Sequence, residues 1–214
     1  ILEAMEAVAS PDIVFMNYAN PMAITCRAMQ KAYPHITTVG LCHGVQHTTD
    51  LLASWLGVPS AEVDVLTAGI NHMAWFLKLE HRGVDLYPRI WEKLENEGVP
   101  NREHYRMEMM KAAGYFMTES SGHLSEYLPY FRHRRDLQEL FGGPGFAGET
   151  GAYLSMCEEG LEKYEAEMRS WADGSTPVPY DPDSRSVEYA AAIINAKVTG
   201  EITRFAGNVA NKGY

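Results

Sequence analysis

Two side chains able to ligate a transition metal each follow an apolar run in this sequence. Cys42, with His43 beside it, comes directly after Thr37-Thr38-Val39-Gly40-Leu41, and His72 follows the run Val63–Ile70 through Asn71. Runs of this kind read as buried strands. A thiolate and an imidazole delivered just past two strand ends can hold one divalent metal and leave coordination positions open for a substrate. Residue type alone also allows a plainer reading, with Cys42 a small core residue and His72 a partly buried polar one. No second Cys stands near either of them to complete a closed four-ligand site.

The elements that must position these side chains alternate between strand and helix. The spacing predicts a helix over 1–9, a strand over 13–16, and a helix over 21–32 that turns Met22, Cys26 and Met29 towards a core before Pro34. A strand over 37–41 and a helix over 45–56, stopped by Gly57 and Pro59, come next. Strands over 63–68 and 73–80, a turn at Arg82-Gly83 and a polar helix over 87–97 follow. Met107, Met110, Ala113 and Met117 recur close to helical spacing and predict a helix over 103–118 with a core-facing side. The glycine-rich run 141–151 lacks the Gly-Lys-Ser/Thr ending of a phosphate loop and reads as a surface loop or oligomer contact. Beyond it, 158–167 carries charges of both signs, as a solvated helix face does, and 174–183 is a Pro-rich connection. Residues 186–199 read as a buried helix rich in Ala and Ile. The fold class predicted is α/β at the start and α+β afterwards.

With 214 residues, 46% hydrophobic and 21% charged, the chain is long enough to bury a core, as one full domain plus part of another. A net charge of -10 argues against nucleic acid or an acidic membrane face as partner. The apolar stretches fall short of a membrane span and no signal-peptide pattern is present, which predicts a cytoplasmic protein. Three cysteines at irregular spacing do not make a disulfide framework, and a ligand thiolate at Cys42 needs a reducing compartment. Met-rich and aromatic helices in the second half predict a homo-oligomer.

Three motifs occur in order: Asn17-Tyr18-Ala19-Asn20-Pro21-Met22, Gly40-Leu41-Cys42-His43-Gly44-Val45-Gln46, and Gly69-Ile70-Asn71-His72-Met73-Ala74-Trp75. Together they resemble glycoside hydrolase family 4, glycosidases that use NAD and a divalent metal, usually manganese. The resemblance continues through Ser121-Gly122-His123-Leu124-Ser125-Glu126-Tyr127 and the tail 185–214, so it covers almost the whole chain. It implies the end of a Rossmann-like, NAD-binding parallel sheet in 1–43 and a mixed α+β substrate and metal domain, like that of lactate and malate dehydrogenases, in 44–214. A family member also opens with a strand, a glycine-rich turn and a helix that seat the NAD pyrophosphate. That turn is not in this sequence, so the resemblance predicts a piece of a longer enzyme, continued on both sides, with little glycosidase activity by itself.

The chemistry implied starts with oxidation of the sugar's 3-hydroxyl by NAD, which acidifies the proton on carbon 2. A base removes that proton, the aglycone leaves, water adds to the unsaturated ketone and the hydride returns, a recognised exception to the paired-carboxylate route. By the same resemblance Cys42 and His72 are the metal ligands, and Asn20 and Asn71 touch substrate hydroxyls. Asn20 also suits a helix N-cap, and the two roles are compatible. His43 stands where the branch acting on phosphorylated sugars commonly carries an Asp general acid. A His there resembles the branch acting on unphosphorylated α-glycosides such as α-galactosides, and an imidazole can donate a proton to a leaving oxygen near neutrality. A hydrogen bond to substrate or to a ligand is the equal alternative for His43.

For the carbon 2 base, His123, Glu126, Tyr127 and Tyr130 compete, and Tyr127 is the choice. A phenol, with an ordinary pKa of about 10, needs a metal or a cation such as Arg132 or Arg135 to act at neutral pH. Its alternative is a core Tyr with its hydroxyl satisfied by backbone. The predicted substrate is an α-galactoside, with α-glucosides and α-uronides as alternatives. The cluster Arg132-His133-Arg134-Arg135 does not establish a phosphate or carboxylate on the sugar, because it also suits a solvated face. Two readings from other classes stand beside this one: an NAD-dependent hydroxyacid dehydrogenase that needs no metal, and a non-catalytic domain in which Cys42 and His72 are merely buried.

Overall fold

The computed structural model describes residues 2–100, 103–141, 152–179 and 188–211. The predicted glycine-rich loop, past its first residue, and the end of the Pro-rich connection lie outside the described residues. Contacts divide the chain into two units, Ile1–Leu124 with Val187–Tyr214, and Ser125–Ser186.

In the first unit, α1 (Leu2–Val8) leads to β1 (Val14–Asn17), α2 (Met22–Ala32) and β2 (Thr37–Gly40). β1 and β2 pair in parallel from Val14 opposite Thr37 to Asn17 opposite Gly40, with α2 as the crossover that parallel strands require. The helix buries Met22 and Cys26, one turn apart. Leu41 extends the ladder by donating its N–H to the Asn17 carbonyl (2.9 Å) and is itself fully buried. Val39, Leu41 and Ile193 form a small cluster with Val14, Met16, Tyr189 and Phe205 packed against it.

α3 (Gly44–Leu56) buries Thr48, Leu52, Ala53 and Leu56, a stripe at helical spacing. It ends at Gly57, left-handed at φ 66°, beyond which the Val58 N–H returns to the Ala53 carbonyl (2.9 Å). β3 (Val63–Ile70), β4 (Met73–His81) and β5 (Val84–Asp85) then form an antiparallel meander with an irregularity between Leu66 and Thr67. α4 (Tyr87–Glu97) and α5 (His104–Ala113) close over it. The main core joins Leu52 and Leu56 of α3, Phe76 and Leu79 of β4, Leu86, Ile90 of α4, Met107 and Met110 of α5, and Phe116. Truncating a fully buried aromatic such as Phe76 to Ala costs about 3–5 kcal/mol by lost burial and cavity formation.

The α/β then α+β expectation is met, with two corrections. The helix predicted over 103–118 stops at Ala113, because Gly114 takes the left-handed conformation at φ 80°. Met117 is buried as predicted, yet through an antiparallel bridge to Trp75 rather than on a helix. The helix predicted as buried over 186–199 is α9 (Tyr189–Thr199), and of its apolar side chains Ile193 is buried while Ile194 and Val198 are exposed. α6 (Ser121–Tyr127) runs from the first unit into the second, which also holds α7 (Arg135–Phe141) and α8 (Ala152–Ala172). α8 is solvated as predicted, with Leu161 and Tyr164 among its exposed residues. No helix among the described residues is long and apolar enough to cross a membrane.

One hydroxyl stitches the meander to the segment after α5. Tyr87 Oη donates to the Phe76 carbonyl (2.5 Å) and accepts from the Phe116 N–H (2.9 Å). Burial pushes this phenol up to about 12. The unfolded chain, with its phenol near 10, therefore releases the proton first, and stability falls as pH rises from about 10 to about 12. Tyr87→Phe in the full-length protein should lower unfolding free energy by about 1–3 kcal/mol at neutral pH, through two lost hydrogen bonds, and the gap to wild type should close above pH 10. Urea unfolding from pH 7 to 11 checks both.

Candidate metal centre

The end of β2 brings the first donor into place. Leu41 anchors the strand end in the core, Cys42 follows half-buried, and His43 is the residue at which α3 begins. The second donor sits at the tip of the β3–β4 hairpin, whose turn consists of Asn71 and His72. His72 holds a left-handed backbone at φ 63°, uncommon for a residue with a side chain although His is among those enriched there. Gly69 makes the tight hairpin possible. At its φ of 139° a Cβ would lie 2.3 Å from the Met73 carbonyl oxygen and 2.5 Å from Ala74 Cα.

A third donor lies outside the three sequence motifs. Residues 116–118 add a short antiparallel stretch to β4: the Phe76 N–H donates to the Phe116 carbonyl (2.9 Å) and the Thr118 N–H to the Ala74 carbonyl (3.0 Å). Glu119 comes next, and its Oε2 lies 3.3 Å from His72 Nε2. The Cys42 thiol, a His72 ring nitrogen and a Glu119 oxygen all lie within 4.8 Å of one another. A Cβ on Gly44 would come 3.0 Å from the Thr118 carbonyl oxygen and 3.5 Å from Glu119 Oε2, so a glycine opening α3 leaves this carboxylate its room. Glu119 Oε1 accepts the Ser120 N–H (2.9 Å) and lies 3.5 Å from His123 Nδ1. The His123 ring stands 5.4 Å from that of His72.

Behind Glu119 lies a buried polar network. Arg106 Nε donates to Glu103 Oε2 (2.5 Å), and its Nη1 donates to Thr48 Oγ1 (2.8 Å). Thr48 Oγ1 in turn donates to the Thr118 carbonyl (2.7 Å), and Ser121 Oγ donates to Glu103 Oε2 (3.1 Å). The guanidinium lies 4.8 Å over the Phe116 ring, a cation–π contact.

Cys42, Asn71, His72 and Glu119 line one cleft of about 420 Å³. Asn71 Nδ2 is buried there with no hydrogen-bond partner among the described residues, while its backbone N–H donates to Asn208 Oδ1 (3.0 Å). His43 is not among the cleft's lining residues. Its Nδ1 lies 2.8 Å from Glu188 Oε1, and its ring stands 5.1 Å from that of His47. The same Glu188, after burial, raises the Tyr18 phenol above its ordinary range. Asn20 is exposed, off the cleft lining, and accepts the Met22 N–H (3.4 Å) at the start of α2. The Asn of that motif that shapes the loop is Asn17, buried, with its amide donating to the Ala19 carbonyl and Thr25 Oγ1 (3.1 Å each). Tyr127 ends α6 in the second unit, 47% exposed. In the basic cluster Arg132 lies 3.7 Å from Glu126, Arg134 pairs with Asp136 (2.5 Å) and Arg135 with Glu139 (3.0 Å), so local carboxylates balance its charge.

Comparison with known proteins gives this cleft a context. The family model described as "Family 4 glycosyl hydrolase" matches residues 1–58, and "Family 4 glycosyl hydrolase C-terminal domain" matches residues 67–214. The chain belongs to glycosyl hydrolase family 4. It is 37% identical to an alpha-galactosidase of Rhizobium meliloti (strain 1021), over 96% of this chain and 42% of that protein. It is 39% identical to an alpha-galactosidase of Bacillus subtilis (strain 168), over 95% of this chain and 45% of that one. The chain thus spans less than half the length of these curated relatives. Its fold is similar to that of a 6-phospho-alpha-glucosidase from gut microorganisms solved in complex with NAD and glucose-6-phosphate, with a TM-score of 0.67 at 18% identity over 99% of this chain and 49% of that one.

Because Arg106 and Glu103 are both buried, removing one partner strands a charge. In the full-length protein Arg106→Met should cost about 3–5 kcal/mol in equilibrium unfolding, and pairing it with Glu103→Leu should restore most of that loss. A double variant no more stable than the single one would show that the pair does not act as a unit.

Proposed function

We propose that the full-length protein hydrolyses α-glycosides, with α-galactosides as the preferred substrates, using NAD and a divalent metal held by Cys42, His72 and Glu119. The observation that carries this reading is the convergence of those three donors in one cleft. Three protein ligands with positions left for substrate are the pattern of a catalytic metal site, whereas structural sites close with four. A thiolate, an imidazole and a carboxylate together suit a first-row divalent ion, and the carboxylate suits manganese among them. Such an ion, when bound, polarises a carbonyl oxygen and offsets charge on neighbouring oxygens. NAD supplies the acceptor and donor of a hydride. The two alpha-galactosidases similar at 37% and 39% identity support the choice of sugar.

The chain's own residues take the remaining roles. The buried Asn71 amide, without a protein acceptor among the described residues, is the donor that meets a sugar hydroxyl. We assign Asn20 to a second hydroxyl contact. His43 is the residue that protonates the leaving oxygen: its Nδ1–H donated to Glu188 fixes the tautomer and frees Nε2 for that proton. Tyr127 is assigned as the base at carbon 2. Residues 1–43 complete the NAD-binding domain and 44–214 form the substrate and metal domain. A reducing cytoplasm keeps the Cys42 thiol available as a ligand.

Hydrolysis of p-nitrophenyl α-galactoside by the full-length protein tests the reading, with and without NAD, manganese and thiol reductant. Activity should require all three, Cys42→Ser should lower it about 100-fold or more, and Glu119→Ala should raise the manganese needed for half-maximal rate about 10–100-fold. Undiminished turnover after chelation and removal of NAD would overturn the mechanism. Faster turnover of an α-glucuronide would overturn the substrate.

A further inference from the structure

We infer that Asn208 is a positioning residue that fixes the two strand-end ligands against each other. The inference rests on the metal-site reading above and adds a residue to it. Cys42 follows β2, in the parallel pair, and His72 lies between β3 and β4, in the antiparallel meander. No strand pairing among the described residues joins those two sheets, so sheet hydrogen bonding alone does not set the separation of the two ligands.

The chain after α9 makes the connection. Asn208 exchanges two backbone hydrogen bonds with Gly40, N–H to carbonyl in both directions at 2.8 Å, two residues before Cys42. With its side chain it reaches the other sheet, where Oδ1 accepts the Asn71 N–H (3.0 Å) immediately before His72. Its Nδ2 approaches Met22 Sδ at 3.5 Å. One residue therefore grips the flank of each ligand. The preceding glycine lets the tail lie flush on β2: a Cβ on Gly207 would stand 3.0 Å from the Phe205 ring and 3.1 Å from Val39 Cγ1.

The two grips separate cleanly by mutation. Backbone pairing to Gly40 does not need a side chain, whereas the bond to Asn71 needs an acceptor at Oδ1. Asn208→Ala therefore frees the hairpin tip and leaves the β2 side intact, and Asn208→Asp keeps an acceptor. Loss of a group that orients ligands lowers metal affinity about 10–100-fold.

The test is a cobalt(II) titration of the full-length protein, reading the thiolate-to-metal charge-transfer band, together with hydrogen exchange at the Asn71 amide in metal-free protein. Asn208→Ala should lower cobalt affinity about 10–100-fold and speed Asn71 exchange about 10-fold or more, with unchanged far-UV circular dichroism. Asn208→Asp should restore slow exchange and the wild-type band. Ile202→Ala, on an exposed tail residue, should leave both at wild-type values. A wild-type band that persists with full affinity in Asn208→Ala overturns this inference alone. A wild-type protein with no thiolate band overturns the metal centre and this inference with it.

Discussion

The Thr48 hydroxyl is the tie on which the site's geometry depends. It accepts from the buried Arg106 guanidinium and donates to the Thr118 carbonyl, so one oxygen joins α3, α5 and the segment that delivers Glu119. Each of its hydrogen bonds lies away from water, where an unmade bond leaves a polar group stranded at a cost of about 1–3 kcal/mol. The observed arrangement satisfies Arg106, Glu103, Thr48 and Ser121 together. That arrangement sets where the next residue along, Glu119, can place its carboxylate.

The three donors reach the cleft by different physical routes. Cys42 is placed by a strand that ends in the core, at Leu41. His72 is placed by a two-residue turn, and Glu119 by a short stretch paired to β4 and braced from behind. Phe116 and Met117, both fully buried, root the last segment in the core, and hydrogen bonds to β4 and from the Thr48 hydroxyl set its course towards Glu119. Rigid elements supply the first two positions, and core burial together with polar satisfaction supplies the third.

This division explains what the sequence disclosed. Cys42 and His72 were legible because each ends an apolar run, and a strand periodicity carries its end point with it. The strands of the parallel pair and the first two strands of the meander were legible for the same reason and α4 from the turn before it, whereas the two-residue β5 was not. Glu119 was not, because Met107, Met110, Ala113 and Met117 fit one helical stripe, while Gly114 is the stop signal that breaks it. Read as a helix end, that glycine frees residues 115–119 to run alongside β4. Asn208 had no local signal at all, since its partners Gly40 and Asn71 are remote in sequence and lie in different sheets. Asn20 shows the converse: the motif was visible, yet the buried side chain that organises its loop is Asn17.

The backbone at His72 has a practical corollary. A left-handed φ of 63° suits glycine better than histidine, and holding a residue with a Cβ there costs on the order of 1 kcal/mol. Any search for sturdier versions of this protein that ranks substitutions by backbone compatibility will therefore favour glycine at the one hairpin position that supplies an imidazole to the cleft. Selection for heat resistance alone will erode the site at that residue, and an engineering library for this scaffold has to hold position 72 fixed.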